Sequence, residues 1–571
     1  MNTPSLSVLA LSASAFAFAL VPGAASAALV QAPLLAGVPH VALTDLGPAP
    51  SNGRLAVAVT LKYRNEDLLD QLTELQTDEN SPQYRHWLSN AQFNAAFAPT
   101  EAQYAQVAAT LQRAGFTISQ VFPNRTVIDA VGSVGAAERL FGTQIDRVTQ
   151  PGYGERFVNV RPAVAPAALA GLVFSVDGLH NLHAVHSDIA RTQPRAGQPG
   201  AKPNLVGLPL MGPVSNQTGL AGYGPLAFSQ GYDLPQQHAD GAAYYDGTGR
   251  TSGVVIDADF LDSDLSGFLA YFNVTRDGPA TTRVLIDGGP PSGDGSGDSI
   301  ETTLDVETIV SNAPGTALYV YEFPNFNNLN YITDAYNKVV SDNLVDTANS
   351  SFGGCEYELS ETTVKAWDKI AKQGGAKGIT FHASSGDSGS DGGCVEAPAS
   401  SPHFVALGGT SYTVDANGNY VSETAWSGSG GGVSTIFPVP SYQKGVPNVL
   451  TRGRNVPDLA FDADPYTGAA YYYGGSWNTA YNPLGGTSLA SPIFGASETE
   501  IDQVIGARTG LAAVKIFKFF KKDGYGTTTP YFHDVTSGSN GEYKAGAGFD
   551  QVTGIGSADV WNLTAAFKKK K

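Results

Sequence analysis

The octet Gly485-Gly486-Thr487-Ser488-Leu489-Ala490-Ser491-Pro492 decides how the rest of the chain is read. A glycine pair, a hydroxyl pair and a proline predict a tight turn opening into a helix, with Pro492 in the first turn. Such a turn holds a serine Oγ proud of the backbone, beside helix N–H groups able to receive negative charge. Before it, short apolar runs recur at 251–257, 317–321, 345–349, 378–382 and 404–408, with helical stretches such as 362–373 between them. This alternation predicts an α/β fold: a parallel sheet covered on both faces, with reactive residues in loops at the carboxyl ends of its strands.

At 571 residues the chain is too long for one ordinary core, and two domains are expected. An apolar content of 42% with 66 Gly and 34 Pro describes a loop-rich globular protein. The net charge of −18 argues against nucleic acid or an anionic membrane as partner. Only 15% of residues are charged, so stability depends little on carboxylate–lysine pairing and should lose less on acidification.

Residues 1–27 read as a secretory signal: an apolar run from Val8 to Val21, then the small-residue site Ala25-Ser26-Ala27. The expected destination is extracellular. The two cysteines, Cys355 and Cys394, most simply form one disulfide in an exported protein, and without a histidine cluster they do not make a zinc site. Residues 28–186 read as a small α/β domain. Its elements are a strand at 55–63, a helix capped by Asn65 with Leu68, Leu69, Leu72 and Leu75 apolar, and a capping box at Thr100 and Gln103. It carries no catalytic cluster, which suggests a folding or inhibitory module. Residues 187–225, rich in Gly and Pro, have linker composition and are where a protease would cut; residues 226–571 carry the chemistry.

A nucleophilic Ser488 needs a base. Five of the nine histidines precede residue 187, and neither His382 nor His403 lies in a catalytic-looking turn, so a Ser–His–Asp arrangement has no support. Carboxylates are better placed. Glu301 and Asp305 stand at i and i+4 on one helix face, where mutual repulsion and burial hold a proton on one of them to higher pH. Read alone, the same pair also fits an acidic solvated helix face. In Ala383-Ser384-Ser385-Gly386-Asp387-Ser388-Gly389, a protonated Asp387 can donate to a developing oxyanion, or it can merely cap a glycine-rich turn.

Taken together and in this order, Glu301, Asp305, Asp387 and Ser488 resemble the sedolisin family of serine-carboxyl peptidases. The resemblance extends to YRHWLS at 84–89, FAPT at 97–100, SGSGGGVS at 427–434, RNVPD at 454–458 and GTSLASP at 486–492. It implies a subtilisin-like peptidase domain preceded by a small α+β, ferredoxin-like prodomain, made as a self-processing zymogen that acts on proteins or peptides in acid. Ser488 is then the nucleophile, Glu301 the general acid/base, Asp305 its orienting partner and Asp387 an oxyanion donor. The cysteine pair resembles a disulfide of the bacterial, pepstatin-insensitive branch. Asp534, Val535, Gly546, Gly548 and Asp550 resemble the family's calcium loop and would hold one structural Ca²⁺, whose preference for carboxylate and carbonyl oxygens fits them. The prodomain is expected to inhibit its own chain, which acts as a monomer, and acidification to protonate interface carboxylates and favour release. Glu498, Glu500 and the basic, aromatic stretch 512–522 depart from the family pattern. The alternatives are a histidine-dependent subtilisin-like peptidase and an exported peptide-binding homologue that has lost catalysis.

Overall fold

The computed structural model describes residues 34–191, 222–238, 244–290, 299–477, 483–526 and 528–568. The expected signal segment, 1–27, lies outside them, as do residues 192–221 of the expected linker. Among the described residues no helix is long and apolar enough to cross a membrane.

The N-terminal unit is a βαββαβ arrangement. It runs β1 (Arg54–Leu61), α1 (Glu66–Thr77), α2 (Glu101–Arg113), β2 (Thr117–Val121), β3 (Val127–Ser133), α3 (Val134–Phe141) and β4 (Val173–Asp177). Its strands pair antiparallel in the order β2-β3-β1-β4, which is ferredoxin-like topology. The capping box opens α2: Thr100 Oγ1 accepts from the Gln103 N–H, and Gln103 Oε1 accepts from the Thr100 N–H at 2.9 Å. Helix α1 differs from expectation. Asn65 is left-handed and makes no side-chain cap, Leu69 is buried, and Leu68 and Leu75 face solvent. The buried stripe is instead Leu69, Thr73, Gln76 and Thr77, because this face meets polar backbone on the second domain; Gln76 Nε2 donates to the Ala376 carbonyl at 3.1 Å. An apolar count cannot see a polar docking face.

The second domain is built on a parallel sheet. Its strands are β5 (Thr251–Ile256), β6 (Thr282–Leu285), β7 (Ala317–Glu322), β8 (Thr347–Ser350), β9 (Thr380–Ser384), β10 (Phe404–Val414) and β11 (Tyr420–Ala425). Their order is β6-β7-β5-β8-β9-β10-β11, with only β11 antiparallel, and β12 (Leu459–Asp462) pairs parallel with β10 off this path. Strand β10 shows why both faces are covered. Phe404 and Ala406 enter the core beneath α5 (Leu329–Asp342) and α6 (Glu361–Ala376), whereas Val405 and Leu407 enter the core beneath α7 (Thr487–Ile505). Helix α4 (Ser299–Asn312) packs against α7. A Cys355–Cys394 disulfide joins the loops beyond β8 and β9, as expected.

The prodomain sheet lies on α5 and α6. Lys369 pairs with Glu66 at 2.6 Å, Lys372 with Asp70 at 2.7 Å, and Asn337 Oδ1 accepts from Asn124 and Thr126 at 2.7 and 2.8 Å. The departures at 498–522 find their reason here. Lys515 reaches Tyr84 Oη and Lys518 lies 3.7 Å from Glu79, so the basic helix α8 (Ala512–Asp523) is a docking surface for residues 79–85, with Ile516 and Phe517 in the core. Glu500 accepts from the Gln236 N–H at 3.0 Å and Asp502 from Thr509 at 2.7 Å. These acids are buried with partners and do not disrupt the helix.

The interface carries carboxyl groups in two settings. The Lys369–Glu66 and Lys372–Asp70 pairs are attractions across it. Asp129 on β3, Asp334 on α5 and Asp287 instead bring carboxylate oxygens within 4.8 Å of one another. Burial pushes Asp129 up to about 7, and Asp177 up to about 6 against the lowering effect of Thr363 and Thr333. Groups raised by docking favour docking below their free value near 4, and that contribution is lost as pH rises through 6 to 7. This part of the expected acid release is therefore reversed. In an uncut zymogen, the melting temperature should fall between pH 4 and 7, and Asp129→Asn should flatten the slope. An unaltered slope would remove Asp129 from the linkage.

Candidate active site

Ser488 is the second residue of α7, which starts after Gly486 at φ 95°. Pro492 sits in the second turn, not the first as expected from sequence. A proline there has no N–H for the Ser488 carbonyl, and the Ser351 hydroxyl lies 3.4 Å from that oxygen. Ser351 thereby ties the start of α7 to the end of β8.

Every residue of α4 is buried, so Glu301 and Asp305 form no solvated face. Asp305 Oδ1 accepts from Ser351 Oγ at 2.6 Å, and Ser351 Oγ accepts from Asn349 Nδ2 at 2.9 Å. Burial holds Glu301 well above the usual carboxylate range, with Asp305 adding to the shift and the Ser488 hydroxyl opposing it. In this resting arrangement the Ser488 hydroxyl donates to the Ser351 carbonyl at 3.3 Å, and neither Glu301 oxygen has a well-formed hydrogen bond. Asp305 is raised too, again chiefly by burial, with Ser351 and Asn349 opposing. Two carboxyls this close in a low-dielectric site hold at least one proton between them.

Asp387 approaches from the loop after β9. Its Oδ1 accepts from the Thr487 N–H at 2.7 Å and from Thr487 Oγ1 at 3.0 Å, while Oδ2 is buried without a partner. Burial first, then the charge of Asp188, push Asp387 well above the carboxylate range. The turn demands Gly486: a Cβ there would lie 2.2 Å from the Asp188 carbonyl oxygen and 2.4 Å from Asp387 Oδ2. Ser488, Glu301, Asp305 and Asp387 therefore meet at one buried place.

Histidine is not bonded to this serine. His382 lies against Ser491 Oγ at 2.9 Å, and burial pushes it down to about 3; His403 pairs with Asp368 at 2.6 Å.

Composition hid one participant. Residues 187–191 and 222–225 are not linker. His186 and Ser187 pair antiparallel with Gly353 and Phe352, while Ala190 and Arg191 pair antiparallel with Gly485 and Leu484. Between these pairings Asp188 is 1% exposed, its carbonyl accepts the Ser488 N–H at 3.1 Å, and its Oδ2 accepts from Ser384 Oγ at 2.5 Å. At the other end, Tyr223 is buried and Pro225–Gly231 is helical, part of the second domain. No local signal in the sequence marks Asp188. Ser384, by contrast, stands in the Ser-Ser-Gly-Asp run beside Asp387.

Asp534 and Asp550 flank the glycine-rich loop, and both lie near Tyr525. The Gly548 N–H lies 3.2 Å from both Asp534 oxygens, and the Gly546 N–H donates to Asp550 Oδ2 at 3.0 Å. Burial raises both carboxyls. Two acids on a glycine-rich loop, whose backbone carbonyls can add oxygens, are a donor set that suits a hard cation.

A serine at a helix start, acids in place of histidine and a docked N-terminal module define a peptidase zymogen on a subtilisin-like sheet. The chain matches the family described as Pro-kumamolisin, activation domain, over residues 42–182, and the Subtilase family over residues 290–504. It is 32% identical to sedolisin of Pseudomonas sp. (strain 101) over 541 residues, 89% of this chain and 86% of that protein. It is 31% identical to xanthomonalisin of Xanthomonas sp. (strain T-22) over 595 residues, 93% of this chain and 67% of that one. Among solved structures, Pseudomonas sedolisin, a serine-carboxyl proteinase complexed with two molecules of pseudo-iodotyrostatin, superposes with a TM-score of 0.52. That match has 30% identity and covers 61% of this chain and 99% of that one. The chain belongs to the sedolisin family of serine-carboxyl peptidases.

Proposed function

We propose that the protein is an exported endopeptidase that hydrolyses protein substrates in acid and cuts itself out of its own zymogen. The observation that carries this is the buried convergence of Ser488 with three carboxyl groups, all biased toward the neutral form. Ser488 Oγ attacks the scissile carbonyl and passes its proton to Glu301, which Asp305 orients from one turn along the same helix, Asp305 being held in turn by Ser351. The oxyanion receives the Ser488 N–H and a proton held on Asp387 Oδ2. Glu301 then gives its proton to the departing amine, and the same group activates the water that releases the acyl chain.

The pH sense follows from the direction of the shifts. The machinery needs one ionised carboxylate as base and a protonated Asp387 as donor, so it works only below the pH at which Asp387 loses its proton. As pH rises through the raised value of Asp387 the donor is lost, and activity with it. Hydrolysis of a denatured protein measured from pH 2 to 9 tests the reading. An acid maximum lost toward neutrality is expected, and a maximum at neutral pH would overturn it in favour of an imidazole base.

The loop of Asp534, Val535, Gly546, Gly548 and Asp550 is proposed to hold one Ca²⁺. The ion would neutralise two partly buried carboxylates and tie together the 534–550 segment. Removing it with EGTA should lower the melting temperature, and Ca²⁺ but not Mg²⁺ should restore it, because the larger ion tolerates this irregular set of oxygens. A melting temperature indifferent to EGTA would argue against the ion.

A further inference from the structure

We infer that the first bond the enzyme cuts in its own chain is Asp188–Ile189, and that the pocket formed by Ser384 and Glu396 is built to receive an acidic side chain on the acyl side of the cut. The inference rests on Ser488 being the nucleophile and adds the bond and the specificity.

The backbone fixes the bond. A peptidase holds its substrate extended, pairing it with strand-like edges on both sides of the nucleophile. Residues 186–187 pair with 352–353 on one side, and 190–191 pair with 484–485 on the other. The Asp188 N–H donates to the Ser351 carbonyl at 3.2 Å, which continues the first ladder to the residue before the cut. One carbonyl lies where negative charge would be stabilised, and it belongs to Asp188. It accepts the Ser488 N–H at 3.1 Å, and it is the atom a Cβ at Gly486 would strike together with Asp387 Oδ2. Attack by Ser488 Oγ on that carbon forms the Asp188 acyl ester and breaks the C–N bond to Ile189. The Ser488 proton leaves with the amine of Ile189, and water then releases the Asp188 carboxylate and restores the serine.

The side chain fixes the preference. Asp188 Oδ2 accepts from Ser384 Oγ at 2.5 Å, and the Asp188 carboxyl lies within 4.8 Å of a Glu396 oxygen and a His186 ring nitrogen. Glu396 is buried, with Oε2 unpartnered. Two carboxyls buried side by side attract each other only when a proton lies between them. Burial, then the charge of Asp188, hold Glu396 above the usual carboxylate range, with His186 opposing, so Glu396 keeps a proton that it can offer to the acid it faces. The groups facing Asp188 are Glu396, Asp387, Glu301 and Ser384 from the peptidase domain and His186 from its own strand, 3.3 Å from Asp188 Oδ1.

Timed intact-mass analysis of purified full-length protein shifted to pH 4 tests the bond. The first products should be a prodomain fragment ending at Asp188 and a peptidase beginning at Ile189, and neither should form in Ser488→Ala. A first cut at another bond that still requires Ser488 would overturn this inference alone. Cutting in Ser488→Ala would overturn the catalytic assignment and this inference with it.

The pocket is tested with synthetic peptides spanning residues 183–193, with Asp, Leu or Lys at position 188, added to matured enzyme. Asp should exceed Leu at pH 4 by about tenfold in kcat/KM, the size of one net hydrogen bond. In Glu396→Gln the amide donates without needing a shared proton, so the Asp-over-Leu ratio should persist to higher pH. Equal rates for Asp and Leu at pH 4, or a ratio whose pH dependence Glu396→Gln does not move, would overturn the pocket assignment.

Discussion

Ser488→Ala is expected to leave the chain at full length at every pH, with hydrolysis of added protein reduced on the order of 10⁶-fold, or about 8 kcal/mol of transition-state stabilisation. The size of the effect follows from the lack of any second nucleophile in the arrangement: Glu301, Asp305 and Asp387 exchange protons but do not attack. The fold should be unaffected, since the hydroxyl's only well-formed bond is the 3.3 Å contact with the Ser351 carbonyl. The variant therefore separates catalysis from folding and provides the uncut zymogen on which the interface measurement depends. The check is gel and mass analysis after prolonged incubation at pH 3 to 5. Processing at an undiminished rate would mean that another residue, or another protein, makes the cut.

Glu301→Gln is expected to lower kcat by roughly 10⁴-fold, about 5.5 kcal/mol, because the amide neither takes the serine proton nor returns it to the leaving amine. Stability should move the other way at neutral pH. The sign follows from burial: a carboxyl held above its unfolded value stabilises fully only below that unfolded value, and its contribution is lost as pH rises. Replacing it by a neutral isostere removes the loss, so the melting temperature of the variant should equal the wild type's in acid and exceed it near pH 7. An inactive variant that is also unstable at all pH values would signal a structural role. An active one with a neutral maximum would return the base to a histidine, although His382 and His403 are bonded elsewhere.

The motif octet and the apolar runs made the second domain legible because both are local. A parallel strand buried on two faces shows as an unbroken apolar run, and a turn that must bring backbone against substrate shows as glycine. Glu301 and Asp305 were legible as a pair because helical spacing puts i and i+4 on one face. Whether that face met water or protein was not legible, since an acid looks the same in either setting. The same limit explains α1, whose buried face is largely polar, and α8, whose lysines looked out of place until Tyr84 and Glu79 stood opposite them.

By itself, the sequence made legible the architecture, an N-terminal module and, through the family resemblance of its motifs, the proposed nucleophile with its carboxylate partners. The tertiary structure alone decided what faces the nucleophile. Asp188 lies 300 residues from Ser488 in a stretch that reads as linker, and it becomes the occupant of the cleft through strand pairing with 352–353 and 484–485. It also reversed the pH sense of part of the interface, since Asp129 and Asp334 share no local pattern and their mutual burial exists only when the two domains are docked. Pairing and desolvation depend on distance in space, and a linear pattern carries that information only where the partners are close in sequence.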